Sequence, residues 1–96
     1  MRSNFQKKVF NVVKKIPEGK VLSYKKVAEL AGLPLSWRAV GNILNKNEDK
    51  RIPCHRVVRA DRKIGGYNKG ERIKTYLLKK EGIIFKNGKI TSRFTK

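Results

Sequence analysis

Cys54 and His55 are the only cysteine and the only histidine of this 96-residue chain, and they are adjacent in the sequence. A thiolate is the reactive form of cysteine, and a neighbouring base or cation raises its population at neutral pH. The pair therefore has the composition of a nucleophile with its base. Free cysteine is also among the most buried residue types, and adjacent residues on a strand point to opposite faces. The pair alone leaves open both a reactive thiol and a packed core residue.

The residue counts limit the classes of protein and of site. One cysteine excludes an internal disulfide framework and any multi-cysteine zinc or iron–sulfur site, and we expect neither a metal nor a cofactor. Residues 1–96 have the length of one domain with a modest core. The sequence has no apolar run long enough to span a bilayer, and we recognise no h-region of a signal peptide in it. We therefore expect an intracellular protein in a reducing compartment, cytoplasmic and nucleoid-associated or nuclear.

The charge of the chain is strongly positive. Lysine and arginine total 25 against 7 acidic residues, which gives a formal net charge of +18 at pH 7. Such a charge makes the folded state repel itself, and a polyanionic partner explains it most simply. A membrane surface fits less well, because no helix pairs a basic face with a wide Trp, Phe and Leu face. The charge predicts a nucleic-acid partner.

The elements that must position the Cys-His pair are short helices separated by clear turns. Apolar residues at the helical period predict three helices in the first half of the chain, each preceded by a capping serine. These are residues 5–16 after Ser3, residues 24–31 after Ser23, and residues 37–44 after Ser36. The last two are joined by a glycine-containing turn, which is typical of a helix-turn-helix whose second helix lies against DNA.

The second half of the chain predicts a loop, a helix and a hairpin. The glycines of residues 65–70 allow close approach of the backbone to a ligand, with an ordinary flexible turn as the alternative. A fourth helix over residues 71–81 is expected to bury Ile73, Tyr76 and Leu77. Asn87-Gly88 is the signature of a two-residue hairpin. The predicted fold is mostly α with short β elements, a small winged-helix-like domain.

The order of these motifs resembles that of a known family. They are Ser23-Tyr24, Arg38-Ala39-Val40-Gly41, Asn47, Pro53-Cys54-His55-Arg56-Val57, Gly65-Gly66-Tyr67, Leu77-Leu78 and Glu81-Gly82. This order is similar to the DNA-binding, catalytic domain of the O6-alkylguanine-DNA alkyltransferases, also called methylated-DNA–protein-cysteine methyltransferases. The resemblance covers residues 5–82. The family usually carries a further N-terminal domain, which we expect to be absent here.

The resemblance implies a catalytic role for five residues. Cys54 would accept the alkyl group from the O6 atom of guanine and keep it as a thioether. His55 would act as the base through a water molecule, with Glu81 orienting the imidazole, which is the logic of a Ser-His-Asp triad. Asn47 would hold the Cys54 loop, and Tyr24 would donate a proton to the ring nitrogen of the departing guanine.

The resemblance also implies the residues of the substrate pocket. Tyr67 and the loop over residues 65–70 would form its wall. The backbone around Val57 and Asn68 would read the edge and the oxygen of the base. Lys69 takes a place often held by glycine, and we expect it to restrict bulky alkyl groups.

The third helix would carry the contacts with double-stranded DNA. A stacked base must be rotated out of the duplex at a cost of a few kcal/mol. In the family an arginine takes the vacated place, and the motif gives that role to Arg38. Gly41 would let the helix approach the DNA closely, while Trp37 stands where a small residue is common, and could stack on DNA or simply pack. Ser36 and Asn42 complete the predicted contacts.

Three functions remain open at this point. The first is direct-reversal DNA repair by a monomeric methylated-DNA–protein-cysteine S-methyltransferase that acts once on duplex DNA containing O6-alkylguanine, with other repair proteins as further candidate partners. The second is an alkyltransferase-like protein that binds the lesion and flags it without transfer. The third is a basic helix-turn-helix transcription factor or architectural protein. Cys54 with His55 and Glu81 favours the first, and the third leaves the Cys54 motif unexplained.

Overall fold

The computed structural model describes residues 4–67, 69–91 and 94–95. Within these ranges the helices are α1 (Asn4–Lys14), α2 (Tyr24–Leu30), α3 (Trp37–Asn45) and α4 (Glu71–Lys80), and a 3₁₀ turn covers Cys54–Arg56. The strands are β1 (Val21–Ser23), β2 (Val57–Val58), β3 (Phe85–Lys86), β4 (Lys89–Ile90) and β5 (Phe94–Thr95). The predicted class, mostly helical with short strands, is confirmed.

The first three helices pack around one core, and of the two predicted caps that lie among the described residues, the one at Ser23 is present. Val9 of α1, Val27 of α2 and Val40 of α3 are fully buried in one cluster. Ser23 has extended backbone angles, φ −80° and ψ 157°, and its hydroxyl accepts a hydrogen bond from the Lys26 amide at 2.9 Å. This bond satisfies one of the open amides at the start of α2.

The predicted cap of α3 was wrong. Ser36 occupies the residue before that helix but makes no side-chain cap bond, and its ψ is 31°. A capping serine needs the extended conformation to bring its hydroxyl over the helix amides, so this backbone geometry prevents the cap. Ser3, the predicted cap of α1, lies outside the described residues.

A parallel three-stranded sheet connects the helices to the Cys54 turn. Its strand order is β2-β1-β5, and Leu22 lies opposite Val57 while Ser23 lies opposite Val58. In this parallel register α2, which begins at Tyr24, leaves β1 at the same end of the sheet as the loop after β2, while the 3₁₀ turn enters β2 from the opposite end. Cys54 is buried in one core cluster with Val27 and Ala28 of α2, so apolar packing rather than strand register brings the cysteine to the second helix.

The predicted hairpin is present and forms a wing on the domain. Strands β3 and β4 pair antiparallel, with Phe85 opposite Ile90. The turn residues Asn87 and Gly88 have φ values of 54° and 75°, as a type I′ hairpin turn requires. Ile90 is fully buried with Leu78 of α4 in a second core cluster, which fixes the hairpin to the domain.

The predicted buried face of α4 was wrong. Ile73 and Tyr76 are 46% and 62% exposed, and Leu77 is half-buried. The residues that α4 buries completely are Lys74 and Leu78, one helical turn apart. The sequence prediction treated Lys74 as a polar, exposed residue, and therefore assigned the buried side of α4 to the neighbouring face.

Lys74 can be buried because its amine has polar partners. Its Nζ donates to the Gly66 carbonyl at 3.0 Å and to the Tyr24 hydroxyl at 3.3 Å. Burial lowers the pKa of Lys74 from its usual 10.5 to about 7, while the nearby Cys54 and Glu71 act in the opposite direction. The amine is therefore a titrating group inside the domain at neutral pH.

This burial predicts a pH dependence of stability. Between pH 7 and the ordinary lysine pKa the unfolded chain binds a proton that the folded state lacks, so stability rises with pH. We expect the free energy of unfolding, from denaturant titration, to increase by about 1 kcal/mol between roughly pH 7 and 8, below the range in which unfolded cysteine mainly titrates.

Lys74→Met should abolish this increase, and Lys80→Met, at an exposed position of the same helix, should keep it. An unchanged increase in Lys74→Met would assign the pH dependence to another group.

Candidate active site

Cys54 lies at the base of a cleft of about 1230 Å³. The cleft is lined from α2, α3, the loop after β2 and the hairpin turn, and it contains most of the predicted site residues: Tyr24, Trp37, Arg38, Gly41, Asn42, Cys54 and Tyr67. A smaller cavity of about 370 Å³ also reaches Cys54, and its lining includes Asn47, His55, Tyr67 and Lys69. The cysteine is only 7% exposed, so a reactant must enter through one of these openings.

Asn47 points a hydrogen-bond donor at the cysteine sulfur. Its Nδ2 donates to Cys54 Sγ at 3.1 Å and to the Asp49 carbonyl at 3.1 Å, while its Oδ1 accepts from the Asp49 amide at 3.0 Å. These bonds determine the orientation of the amide. Burial raises the pKa of the Cys54 thiol, whereas the Asn47 bond and the charge of Lys74 oppose this rise. At rest the thiol is protonated, and two groups are already placed to stabilise the thiolate.

His55 and Arg56 hold the carboxylate of Glu81 from two sides. His55 Nε2 lies 2.7 Å from Glu81 Oε2, and Arg56 donates to both carboxylate oxygens at 2.9 Å. Burial alone would raise the pKa of Glu81, but the hydrogen bonds from Arg56 and His55 outweigh it and hold this pKa below its usual range. An ionised carboxylate favours a proton on Nε2, which leaves Nδ1 of neutral His55 as the basic nitrogen.

The loop that includes Gly65 and Gly66 packs closely on Tyr24. The Tyr24 hydroxyl donates to the Gly66 carbonyl at 3.1 Å. Gly65 has a φ of 77°, and a Cβ there would lie 3.1 Å from the Tyr24 ring, so a larger residue would strain this loop. Burial, and then the neighbouring Cys54, raise the pKa of Tyr24 to about 12. Tyr24 is therefore a protonated phenol at neutral pH.

The start of α3 presents a stacked pair of side chains to the cleft. The Arg38 guanidinium lies 5.1 Å from the centre of the Trp37 ring, within the range of a cation–π contact, and the tryptophan is 45% exposed. Gly41 and Asn42 line the same cleft one turn later, while the Ser36 side chain is not part of its lining.

The predicted pocket residues are not all brought together. Tyr67 is half-buried, and burial followed by the nearby Cys54 raises its pKa. Lys69 is exposed and lines only the smaller cavity. Val57 is fully buried and its amide donates to the Cys54 carbonyl, so the structure does not bring it to the cleft. Asn68 lies outside the described residues.

Two residues at the site had no predicted role. Arg56 follows His55, which was predicted to contact Glu81. Because arginine binds carboxylates with two parallel hydrogen bonds, this adjacency could have predicted an Arg56–Glu81 pair. For Lys74 the only sequence signal was its position four residues before Leu78, which places both residues on one face of α4. Among the described residues no cluster of three His, Cys, Asp or Glu side chains is arranged to hold a metal, and no helix has the length and apolarity to cross a membrane.

Sequence comparison identifies a family and curated relatives of this chain. The family model for the 6-O-methylguanine DNA methyltransferase, DNA binding domain, matches residues 4–83. A methylated-DNA–protein-cysteine methyltransferase of Methanosarcina acetivorans is 46% identical over 81 residues, which are 83% of this chain and 52% of that protein. One of Saccharolobus islandicus is 49% identical over 80 residues, 82% of this chain and 51% of that protein. The chain thus spans about half the length of these curated relatives.

Solved structures of DNA complexes share the fold. The S. pombe Atl1 complex with damaged DNA containing O6-carboxymethylguanine has a TM-score of 0.81 and 29% identity, covering 97% of this chain and 93% of that one. The Mycobacterium tuberculosis OGT complex with DNA has a TM-score of 0.80 and 36% identity, covering 85% and 51%. Together with the sequence match over residues 4–83, these similarities show that the chain belongs to the family of 6-O-methylguanine DNA methyltransferase DNA-binding domains.

Proposed function

We propose that this domain repairs alkylated DNA by direct reversal at Cys54. The sulfur forms a bond to the alkyl carbon, the bond between that carbon and guanine O6 breaks, and the thioether remains on the protein. The observation that carries the proposal is the buried thiol at the base of an open cleft, with the Asn47 amide on its sulfur and the His55–Glu81 pair beside it. One cysteine allows one transfer, so the reaction is stoichiometric.

The thiol is activated by the imidazole. No direct hydrogen bond joins His55 to Cys54 among the described contacts, so the proton passes from Sγ to Nδ1 through a bridging water. Glu81 holds the Nε2 proton and stabilises the imidazolium that forms, and Arg56 keeps this carboxylate ionised. Asn47 stabilises the thiolate by donating to the sulfur.

The leaving guanine takes its proton from Tyr24. A phenol with a pKa of about 12 keeps its proton at neutral pH and releases it to a base whose basicity rises as the alkyl bond breaks. Lys74 donates to the phenol oxygen at 3.3 Å, which stabilises the phenolate as it forms. The same lysine holds the Gly66 carbonyl, so the loop stays in place when the Tyr24 proton turns toward substrate.

The DNA is held by α3 and by charge. Extrusion of a base costs a few kcal/mol. Arg38 fills the vacated stack, a role supported by its exposure at the start of α3 and its position in the cleft lining. The net charge of +18 supplies attraction to the phosphate backbone that does not depend on sequence. The similarity to two proteins solved in complex with DNA supports this binding mode.

A second candidate function is lesion binding without transfer. It is favoured by the match to Atl1, a protein solved with damaged DNA that this chain matches over 93% of its length. The arrangement of donors and base around Cys54 favours transfer, because a protein that only binds the lesion needs no activated thiol.

The two candidates predict different masses of the protein. After incubation with a duplex containing one O6-methylguanine, we expect the intact wild-type chain to gain one methylene unit, saturating at one per chain and mapping to the Cys54 peptide. Cys54→Ser should gain no mass while it still binds the lesion duplex, and an undamaged duplex is the matched substrate control. Lesion-selective binding without any mass gain in the wild type would contradict transfer and favour the flagging function.

If Arg38 stabilises the extruded base, its removal should slow transfer from duplex DNA more than transfer from the free base. Arg38→Ala should slow transfer from duplex about tenfold, which corresponds to ~1.4 kcal/mol of lost transition-state stabilisation, while transfer from the free O6-alkylguanine base stays near wild type. Single-turnover rates on both substrates provide the measurement. Lys46→Ala, just after α3 and outside the cleft lining, removes the same charge as a control. Equal slowing on duplex and free base would rule out the extrusion role.

A further inference from the structure

The outer face of the wing carries a row of three lysines. Lys86 lies opposite Lys89 across the β3–β4 hairpin, and Lys89 lies opposite Lys63 in an antiparallel bridge. Residues directly opposite one another on antiparallel strands point to the same face, with Cβ atoms about 5 Å apart. The side chains of Lys63, Lys89 and Lys86 therefore stand side by side across three segments of chain.

The row is fixed to the domain by the opposite face of the hairpin. Ile90, next to Lys89, is fully buried, and its amide donates to the Arg62 carbonyl at 2.9 Å. All three lysines are exposed, and no carboxylate of the described residues lies within 4.0 Å of their amines. Asp61, on the same loop as Lys63, pairs with Arg59 at 2.8 Å, and it accepts a hydrogen bond from the backbone amide of Lys63 at 3.1 Å but forms no ion pair with the Lys63 amine.

This arrangement is unfavourable for the isolated protein. Like charges directly opposite one another on paired strands are destabilising, and here two such pairs follow in succession. A polyanion that runs along the row would remove the repulsion and bind three amines at once. The row thus has the chemistry of a phosphate-backbone contact, which needs point charges and carries no sequence information.

The position of the row identifies its partner. Lys63 and the hairpin turn, Asn87 and Gly88, line the same cleft as Arg38 and Cys54. A duplex whose base enters this cleft carries phosphates past the hairpin on either side of the extruded nucleotide. The match to the family model ends at residue 83, so it includes Lys63 but neither lysine of the hairpin.

We propose that Lys63, Lys89 and Lys86 form a phosphate-binding row that holds the DNA backbone beside the cleft, as a second contact separate from α3. The proposal rests on the proposed function, because duplex DNA is the polyanion it names. It concerns binding to the backbone, and so applies to undamaged as well as to damaged duplex.

The test is the salt dependence of binding to an undamaged duplex. Lys86→Gln/Lys89→Gln should weaken binding about tenfold and reduce the slope of log K against log salt concentration by about 1 to 2, through lost counterion release. Lys7→Gln/Lys8→Gln, at exposed positions of α1 outside the cleft, removes the same charge and should change both quantities less. The Tm of the hairpin variant should equal or exceed that of wild type, because repulsion is removed, whereas a structural role would lower it.

Lys63→Gln tests the row from the loop, without any change in the hairpin, and should shift affinity and slope in the same direction. The row would be overturned, even if wild type transfers an alkyl group, by affinity and slope equal to those of the α1 double variant for the hairpin pair and to those of Lys7→Gln alone for Lys63→Gln. If the lysine variants bind duplex more weakly but the wild type transfers no alkyl group, the row is supported and the repair function is rejected.

Discussion

The carboxylate of Glu81 is the interaction on which the arrangement of the site depends. It ends α4, accepts two bonds from Arg56 and contacts His55, while Arg56 also donates to the Ile16 carbonyl at 2.8 Å. One ionised group thus joins the end of α4, the 3₁₀ turn and the segment after α1. Its side chain is 9% exposed, so loss of Arg56 would leave a largely buried charge with His55 as its remaining partner. The packing of these three segments and the orientation of His55 therefore depend on the same bonds.

The protonation of the Cys54 thiol is controlled by a balance of burial and charge. Burial raises the pKa of Cys54 and lowers that of Lys74, so it favours the neutral forms of these two side chains, while Glu81 stays ionised. When the thiol loses its proton, the Asn47 amide and the Lys74 amine are already in place to stabilise the thiolate. A preorganised polar environment of this kind needs no reorganisation at the moment of reaction, which is the usual source of electrostatic catalysis.

Local features of the fold were predictable and long-range ones were not. Helix positions, the Ser23 cap and the Asn87-Gly88 turn follow from backbone preferences within a few residues, and the sequence predicted them. The parallel pairing of β1 with β2 joins segments more than 30 residues apart through strands of two or three residues, too short for a periodic signal. The burial of Lys74 depends on Tyr24 and Gly66, which only the folded chain brings to its amine. At the site, the motif located Cys54, His55 and Glu81, but not Arg56 as their support.

Part of the excess positive charge lies in a row that does not stabilise the fold. Lys86, Lys89 and Lys63 repel one another on a wing whose inner face, through Ile90, is held by the second core cluster. The domain thus tolerates a local electrostatic cost because apolar burial elsewhere offsets it. In the proposed complex DNA relieves that cost, so part of the affinity is stored as repulsion in the free protein. The same argument explains why such an interface loses strength with salt, as ions screen the repulsion and the attraction together.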